Sequence, residues 1–162
     1  MNQIKTMLLI LCLIPAFGHA QTNTQHSSGV SELSNELRVL FTQEMVALKK
    51  GLVQITEAYI AGDWATIETI ALKMEQSYIL RQNLSKQQMH QLHSVLSPEF
   101  IKQDVKFHYL SGMLNHAAKM EKVEMIGFYL SKMSETCVSC HSQYAVNKFP
   151  LFKTETNTNG HH

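Results

Sequence analysis

Apolar side chains recur along this chain at steps of three and four residues, the spacing that places them on one face of an α-helix. The first such stretch predicts a helix from about Glu32 to Tyr59. Gly62 ends it, and Asp63 can cap a second predicted helix that runs to about Leu80. The first apolar stripe consists of Leu37, Phe41, Met45, Leu48, Leu52, Ile55 and Tyr59, and the second of Ile67, Ile70, Ala71, Met74 and Tyr78.

The C-terminal half carries two more long helical patterns. Ser97 is a capping hydroxyl followed by a proline at the first helical position and an acidic residue in the first turn, which is a strong start signal. This third helix is predicted to run to about Met120, and a fourth covers about residues 122–146. A short helix over residues 86–95 is predicted in the connection before them.

These four amphipathic helices can bury their apolar stripes only against one another. No segment alternates apolar and polar residues for long enough to predict a strand, and Gly (7) and Pro (3) are too scarce for the many turns of a β-sandwich or barrel. The predicted fold class is therefore all-α, an antiparallel up-down-up-down four-helix bundle over residues 32–149.

The first twenty residues follow the pattern of a secretory signal peptide. Lys5 precedes an unbroken apolar run over residues 7–14, and Gly18 and Ala20 supply the small residues of a cleavage site. The run is too short to span the roughly 30 Å of hydrocarbon in a bilayer. We expect residues 1–20 to be removed and the mature chain to be periplasmic, with no membrane span.

Outside the helices, residues 21–31 are polar and predicted to form a flexible leader, and residues 150–162 a polar, disordered tail. The chain has 14 Lys and Arg residues and 13 Asp and Glu residues; loss of Lys5 with the signal peptide makes the two numbers equal. A neutral mature chain gives no electrostatic reason to expect nucleic-acid binding.

Three cysteines are present, and Cys12 would leave with the signal peptide. The other two belong to the sequence CVSCH, in which Cys137 and Cys140 precede His141. The C-x-x-C-H pattern is typical of covalent haem attachment. Residues three apart share a helix face, so two sulfurs can meet the two vinyl groups on one edge of a porphyrin, and His141 can provide the proximal iron ligand.

Other roles for a close cysteine pair fit the sequence less well. A zinc site would need two further ligands at suitable spacing, and no second C-x-x-C or H-x-x-x-H is present. A thioredoxin-like pair belongs in a βαβ setting, not late in a helical chain. A disulfide between residues three apart in a regular helix would be strained. One covalent haem c is therefore the predicted cofactor.

A C-x-x-C-H motif in the last helix of a four-helix pattern resembles the class II c-type cytochromes, the cytochrome c prime family and its low-spin relatives. The resemblance covers about residues 32–148 and rests on CVSCH, on Tyr144 three residues after the histidine, and on the aromatic third helix with Phe107. It implies a haem enclosed by the bundle, with the first helix facing the distal side of the iron. It also implies redox partner proteins and a homodimer through the first two helices.

The residue on the distal side decides between two functions within this family. Met45 could be the axial partner of His141, which would give a low-spin, one-electron carrier. The family often has Arg-x-x-x-Met or Arg-x-x-x-Leu here, whereas Arg38 is followed four residues later by Thr42. If Thr42 or Val46 faces the iron, the site is open and the protein would bind small gases such as nitric oxide or carbon monoxide. His108 and His116 are weaker candidate ligands.

Two further classes of protein fit the sequence less well. A haem-free helical interaction module would carry no covalent cofactor. An enzyme is not expected, because the sequence has no paired acid and base, nucleophile elbow or phosphate-binding loop. The predicted function is a periplasmic c-type cytochrome that carries single electrons.

Overall fold

The computed structural model describes residues 29–153. The predicted signal peptide, the leader up to residue 28 and the tail beyond residue 153 lie outside the described residues. Within 29–153 the chain is all-helical, with no strand. The helices are α1 (Asn35–Ala61), α2 (Trp64–Glu75), α3 (Leu80–Asn83), α4 (Lys86–Val95), α5 (Pro98–Lys119) and α6 (Val123–Tyr144), with 3-10 turns at Gly29–Glu32 and Pro150–Phe152.

Side-chain caps fix the starts of four of these helices. Ser34, Asp63, Ser85 and Ser97 each accept a hydrogen bond from the backbone N–H three residues further on, at 3.3, 3.0, 3.2 and 3.1 Å. These bonds satisfy amide groups that have no partner inside the helix. The caps at Asp63 and Ser97 are those predicted from the sequence.

The long helices lie where the pattern predicts them, with two corrected ends. The second helix ends at Glu75 and not at about Leu80, because Ser77 adopts a left-handed conformation (φ 61°) that interrupts it. The fourth ends at Tyr144 and not at Val146. At either edge of the described residues, Gly29–Glu32 and Pro150–Phe152 form 3-10 turns.

The helices pack in the order α1, α2, α5, α6, while α1 and α6 approach each other much less. The side-chain contacts identify which parts meet. On the α2–α5 interface Asn115 donates to the carbonyl oxygen of Glu68 at 2.8 Å, and His108 bonds that of Met74 at 2.6 Å. On the α5–α6 interface Gln103 donates to Gln143 at 2.8 Å.

Apolar side chains form two core clusters. The main cluster joins α1, α2, α5 and α6 and includes the fully buried Ile55, Ile67, Met74, Leu114 and Ile126. The second cluster lies at the end of the molecule where α1 and α5 begin and α6 ends. Its buried members are Leu33, Leu37, Phe41, Leu92, Leu96 and Phe100.

The buried stripe of α1 is rotated from the predicted one. Its buried members are Leu37, Phe41, Glu44, Gly51, Ile55 and Ala58, while Met45, Leu48, Leu52 and Tyr59 are only partly buried. The small residues allow α2 to approach closely: a methyl carbon at Gly51 would lie 2.6 Å from Met74 Cε and 2.7 Å from the Tyr78 hydroxyl. These four partly buried side chains of the predicted stripe therefore lie along one flank of the buried stripe.

Among residues 29–153, no helix is both long enough and apolar enough to cross a membrane.

Candidate functional site

The CVSCH sequence occupies the last two turns of α6, so Cys137 and Cys140 lie on neighbouring turns of one helix face. Cys137 packs against the main core cluster, and Cys140 packs against the second cluster. The motif therefore lies where the two clusters meet. The sequence alone does not indicate this position.

Both sulfurs are free thiols and both are partly buried. Burial raises the pKa of Cys137. Burial, together with the negative charge of Asp104 and the neighbouring Cys137, raises the pKa of Cys140 to about 11. Since the thiolate is the form that oxidises and exchanges, these thiols are kept in their less reactive, protonated form at neutral pH.

His141 follows the pair and is also partly buried. Its ring stacks on Phe149, with ring centres 4.4 Å apart and planes 17° apart. Burial, and then the positive charge of Lys148, lower the pKa of His141. The neutral imidazole that results is the form that coordinates a metal. The stacking of Phe149 on His141 was not anticipated from the sequence, since the two are separated by the end of α6.

Met45 lies on the flank of α1 that is turned toward α6. Tyr59, fourteen residues later, lies on the same flank and contacts α6: a methyl carbon at Gly127 would be 2.7 Å from its hydroxyl. Met45 itself packs against the second cluster, as do Cys140 and Tyr144 from α6. The sequence candidate for the distal ligand and the attachment motif are thus brought to the same end of the molecule.

The two alternatives to Met45, Thr42 and Val46, are exposed to solvent. Val46 is 61% exposed. Thr42 is exposed and its hydroxyl donates to the carbonyl oxygen of Arg38 within the same helix at 2.8 Å. Arg38 is exposed as well.

The histidines of α5 have different surroundings. His108 is buried; its Nδ1 bonds the carbonyl oxygen of Met74, and its Nε2 lies 3.5 Å from a carboxylate oxygen of Asp104. Burial lowers the pKa of His108, but the hydrogen bond and charge of Asp104 outweigh it, and the net shift is upward. His116 is exposed at the other end of α5, beside an apolar cavity of about 220 Å³.

Aromatic rings from α1, α5 and α6 lie in the same cluster as Cys140. Phe100 makes an edge contact with Tyr144, with ring centres 5.1 Å apart, and a tilted contact with Phe41 at 5.9 Å. These rings belong to the same cluster that contains Cys140 and Met45. They give this end of the molecule an apolar, polarisable surface.

The residues present fit a covalently attached haem. The donor set comprises two reduced thiols one turn apart, an adjacent neutral imidazole and a thioether on the facing flank of α1. Among residues 29–153, no group of three or more His, Cys, Asp or Glu side chains is placed to hold a metal ion.

Glu44 is the functional candidate that sequence reasoning missed. Its carboxylate is buried (1% exposed) and accepts hydrogen bonds from three consecutive backbone N–H groups, those of Tyr78, Ile79 and Leu80. One signal could have identified it: Glu44 stands three residues after Phe41 and four before Leu48, at apolar-stripe spacing.

Comparisons of the chain with models of known protein families, with curated proteins and with solved structures found no match.

Proposed function

We propose that this protein is an exported c-type cytochrome that carries one electron at a time on a single haem c. The observation that supports this most strongly is that Cys140 of the CVSCH sequence, on α6, and Met45, on α1, pack against the same apolar cluster. When bound, the haem would supply the one-electron chemistry, and the protein would set its potential.

Each residue of the site has a distinct task in this proposal. Cys137 and Cys140 anchor the haem through two thioether bonds, and His141 provides the proximal nitrogen. Phe149 stacks on His141 and restricts the rotation of its ring. Met45 provides the distal sulfur, and the rings of Phe41, Phe100 and Tyr144 exclude water from this end of the molecule.

The proposal includes an antiparallel up-down-up-down bundle. Its support comes from the pairs of residues in contact: the start of α5 (Gln103) meets the end of α6 (Gln143), and the end of α2 (Met74) meets the middle of α5 (His108). A haem located between α1 and α6 agrees with the sparse contact between these two helices.

Export to the periplasm rests on the signal-peptide pattern of residues 1–20. The partners of a small carrier are redox proteins, and a homodimer through the first two helices is part of the resemblance. The exposed outer face of α1 supports such a contact, since it presents an apolar side chain at every seventh residue: Val39, Val46, Val53 and Ile60.

The experiment that tests the carrier function is an absorption spectrum of ferric and ferrous protein, with and without carbon monoxide. We expect a low-spin wild type and a high-spin Met45→Ala variant that binds the gas readily, because loss of the thioether opens the sixth position. Met89→Ala is the matched control, a partly buried methionine of the same cluster on α4, and should stay low-spin.

A high-spin wild type would contradict the carrier proposal and favour the gas-binding alternative. A low-spin Met45→Ala variant would mean that another residue provides the distal ligand.

A further inference from the structure

A buried carboxylate on α1 binds the backbone of a different part of the chain. Glu44 Oε1 accepts from the Tyr78 N–H at 3.0 Å, and Glu44 Oε2 accepts from the N–H groups of Ile79 and Leu80 at 2.6 and 3.2 Å. The three donors precede and begin the short helix α3. The carboxylate therefore does what an N-cap side chain does, but from 34 to 36 residues away in the chain.

Such an arrangement is costly unless the bonds are made. A carboxylate removed from water loses its hydration, and hydrogen bonds to the charged oxygens offset that loss. Its negative charge also affects Tyr78. Burial raises the pKa of the Tyr78 hydroxyl, and the charge of Glu44 raises this pKa further. The segment 78–80 and this turn of α1 are consequently fixed relative to one another.

A second contact on the same side of α1 adds to this restraint. Gly51 lies two turns beyond Glu44, and a methyl carbon there would be 2.7 Å from the Tyr78 hydroxyl. Residue 44 thus contacts the 78–80 backbone, and residue 51 contacts Tyr78 and α2. Together they set how far α1 is rotated about its axis.

Met45 is the next residue after Glu44. One residue turns the helix by about 100°, which carries the side chain from the α2 side to the flank that faces α6. A methionine side chain has three rotatable bonds, so its sulfur is poorly positioned by itself. The orientation of the backbone at residue 45 therefore decides where the thioether can reach.

We propose that Glu44 is the positioning residue of the distal ligand: by holding the 78–80 backbone it fixes the rotation of α1 that presents Met45 toward the attachment motif. This inference rests on the proposed function. In this inference Glu44 does not touch the iron. Its carboxylate affects the iron only through the backbone contacts that orient α1.

The test uses the haem-containing protein and its Glu44→Gln and Glu44→Asp variants. Glu44→Gln keeps the size but leaves one acceptor oxygen, and Glu44→Asp keeps the charge but withdraws it by one methylene group. We expect both to raise the high-spin fraction, to lower the reduction potential and to strengthen carbon monoxide binding about tenfold, the size of a typical coupling between sites. Glu57→Gln, an exposed carboxylate on the same helix, is the matched control and should change none of these.

A positioning role can be separated from a merely structural one. In a Met45→Ala background, Glu44→Gln should no longer change the affinity for carbon monoxide, since no thioether is left to misplace. Far-ultraviolet circular dichroism confirms that each variant is helical before its spectrum is interpreted.

A measurement that leaves Glu44 unaltered covers the case in which its variants do not fold. Coupling is reciprocal, so a Met45–iron bond must stabilise the Glu44 contacts in return. Amide hydrogen exchange at Tyr78, Ile79 and Leu80 should therefore be faster in Met45→Ala than in the wild type, while Met89→Ala leaves it unchanged.

The inference is overturned if folded Glu44 variants retain the wild-type spectrum and gas affinity, or if exchange at residues 78–80 is the same in Met45→Ala and wild type. The proposed function fails by a different result: a wild type without covalent haem, or a wild type that is high-spin.

Discussion

Two buried polar side chains bind the backbone at and just beyond the end of α2. His108 donates from Nδ1 to the carbonyl oxygen of Met74 near the end of α2, which also accepts from the Ser77 N–H at 3.1 Å. Glu44 accepts from the backbone just beyond Ser77, where the helix has been interrupted. Glu44 thereby satisfies three backbone N–H groups, and His108 gives the Met74 carbonyl oxygen a second donor.

The environment of His108 predicts a pH dependence of stability. Its pKa is raised in the folded protein above the ordinary 6.5, so the protonated ring contributes stability that is fully present below that value. The contribution is lost as pH rises through the folded-state pKa, because a neutral Nε2 no longer donates to Asp104. We expect the free energy of unfolding of the wild type to fall over that interval more steeply than that of His108→Gln.

Denaturant titration at a series of pH values checks this expectation. His90→Gln, an exposed histidine on α4, is the control and should follow the wild type. Parallel pH profiles for wild type and His108→Gln would contradict the role assigned to the His108–Asp104 pair.

At the residue scale, sequence reasoning nominates Cys137, Cys140 and His141 because they belong to one motif of five consecutive residues. Met45 could be nominated from its helix alone. Glu44 could not be assigned a role, since its partners are more than thirty residues away and are backbone groups, which have no sequence signature. The same holds for Phe149 against His141.

At the scale of the secondary-structure elements, N-cap residues fix where the helices begin. Ser97 accepts from the Phe100 N–H at 3.1 Å and begins α5, the helix that contacts both α2 and α6. Ser97→Ala removes this bond and should lower the free energy of unfolding by about 1 kcal/mol, the usual cost of losing an N-cap.

Chemical denaturation measures this change. Ser97→Asp, which keeps a capping oxygen, should restore most of the loss, and Ser94→Ala on the exposed side of α4 should have little effect. An unchanged midpoint for Ser97→Ala would mean that the cap is not used.

The close approach of α1 and α2 gives a second prediction at this scale. A methyl carbon at Gly51 already meets Met74, Tyr78 and Ile70 at 2.6, 2.7 and 3.2 Å. Gly51→Leu must push α2 away and should destabilise the protein by about 1–3 kcal/mol. Gln54→Leu places the same side chain on the exposed face of α1 and is the control. Equal unfolding free energies for the two variants would contradict the packing described.

Helix positions were predictable because apolar period, caps and the Ser97–Pro98 signal are local. The rotation of α1 about its own axis was not predictable. A periodic stripe can be drawn through large apolar side chains or through Glu44, Gly51 and Ala58 one position away, and only the packing partner distinguishes them. Close approach to α2 favours the small residues, and this choice is what leaves Met45 on the α6-facing flank.

At the scale of the whole molecule, one apolar cluster holds the helices together, and the other contains residues of the proposed site. The main cluster joins the four long helices, and the second gathers Met45, Cys140, Tyr144 and the rings of Phe41 and Phe100 at one end. The attachment motif lies where they meet. In the proposed carrier, the first cluster supports the fold and the second controls the environment of the iron.

The central claim is that a haem is attached covalently through Cys137 and Cys140 in an exported chain. The most direct test is the intact mass of the mature protein, purified from the periplasm of a host that attaches haem c. We predict the mass of residues 21–162 plus one haem, and the mass of the peptide chain alone for Cys137→Ala/Cys140→Ala. A wild-type mass without the haem would contradict the account.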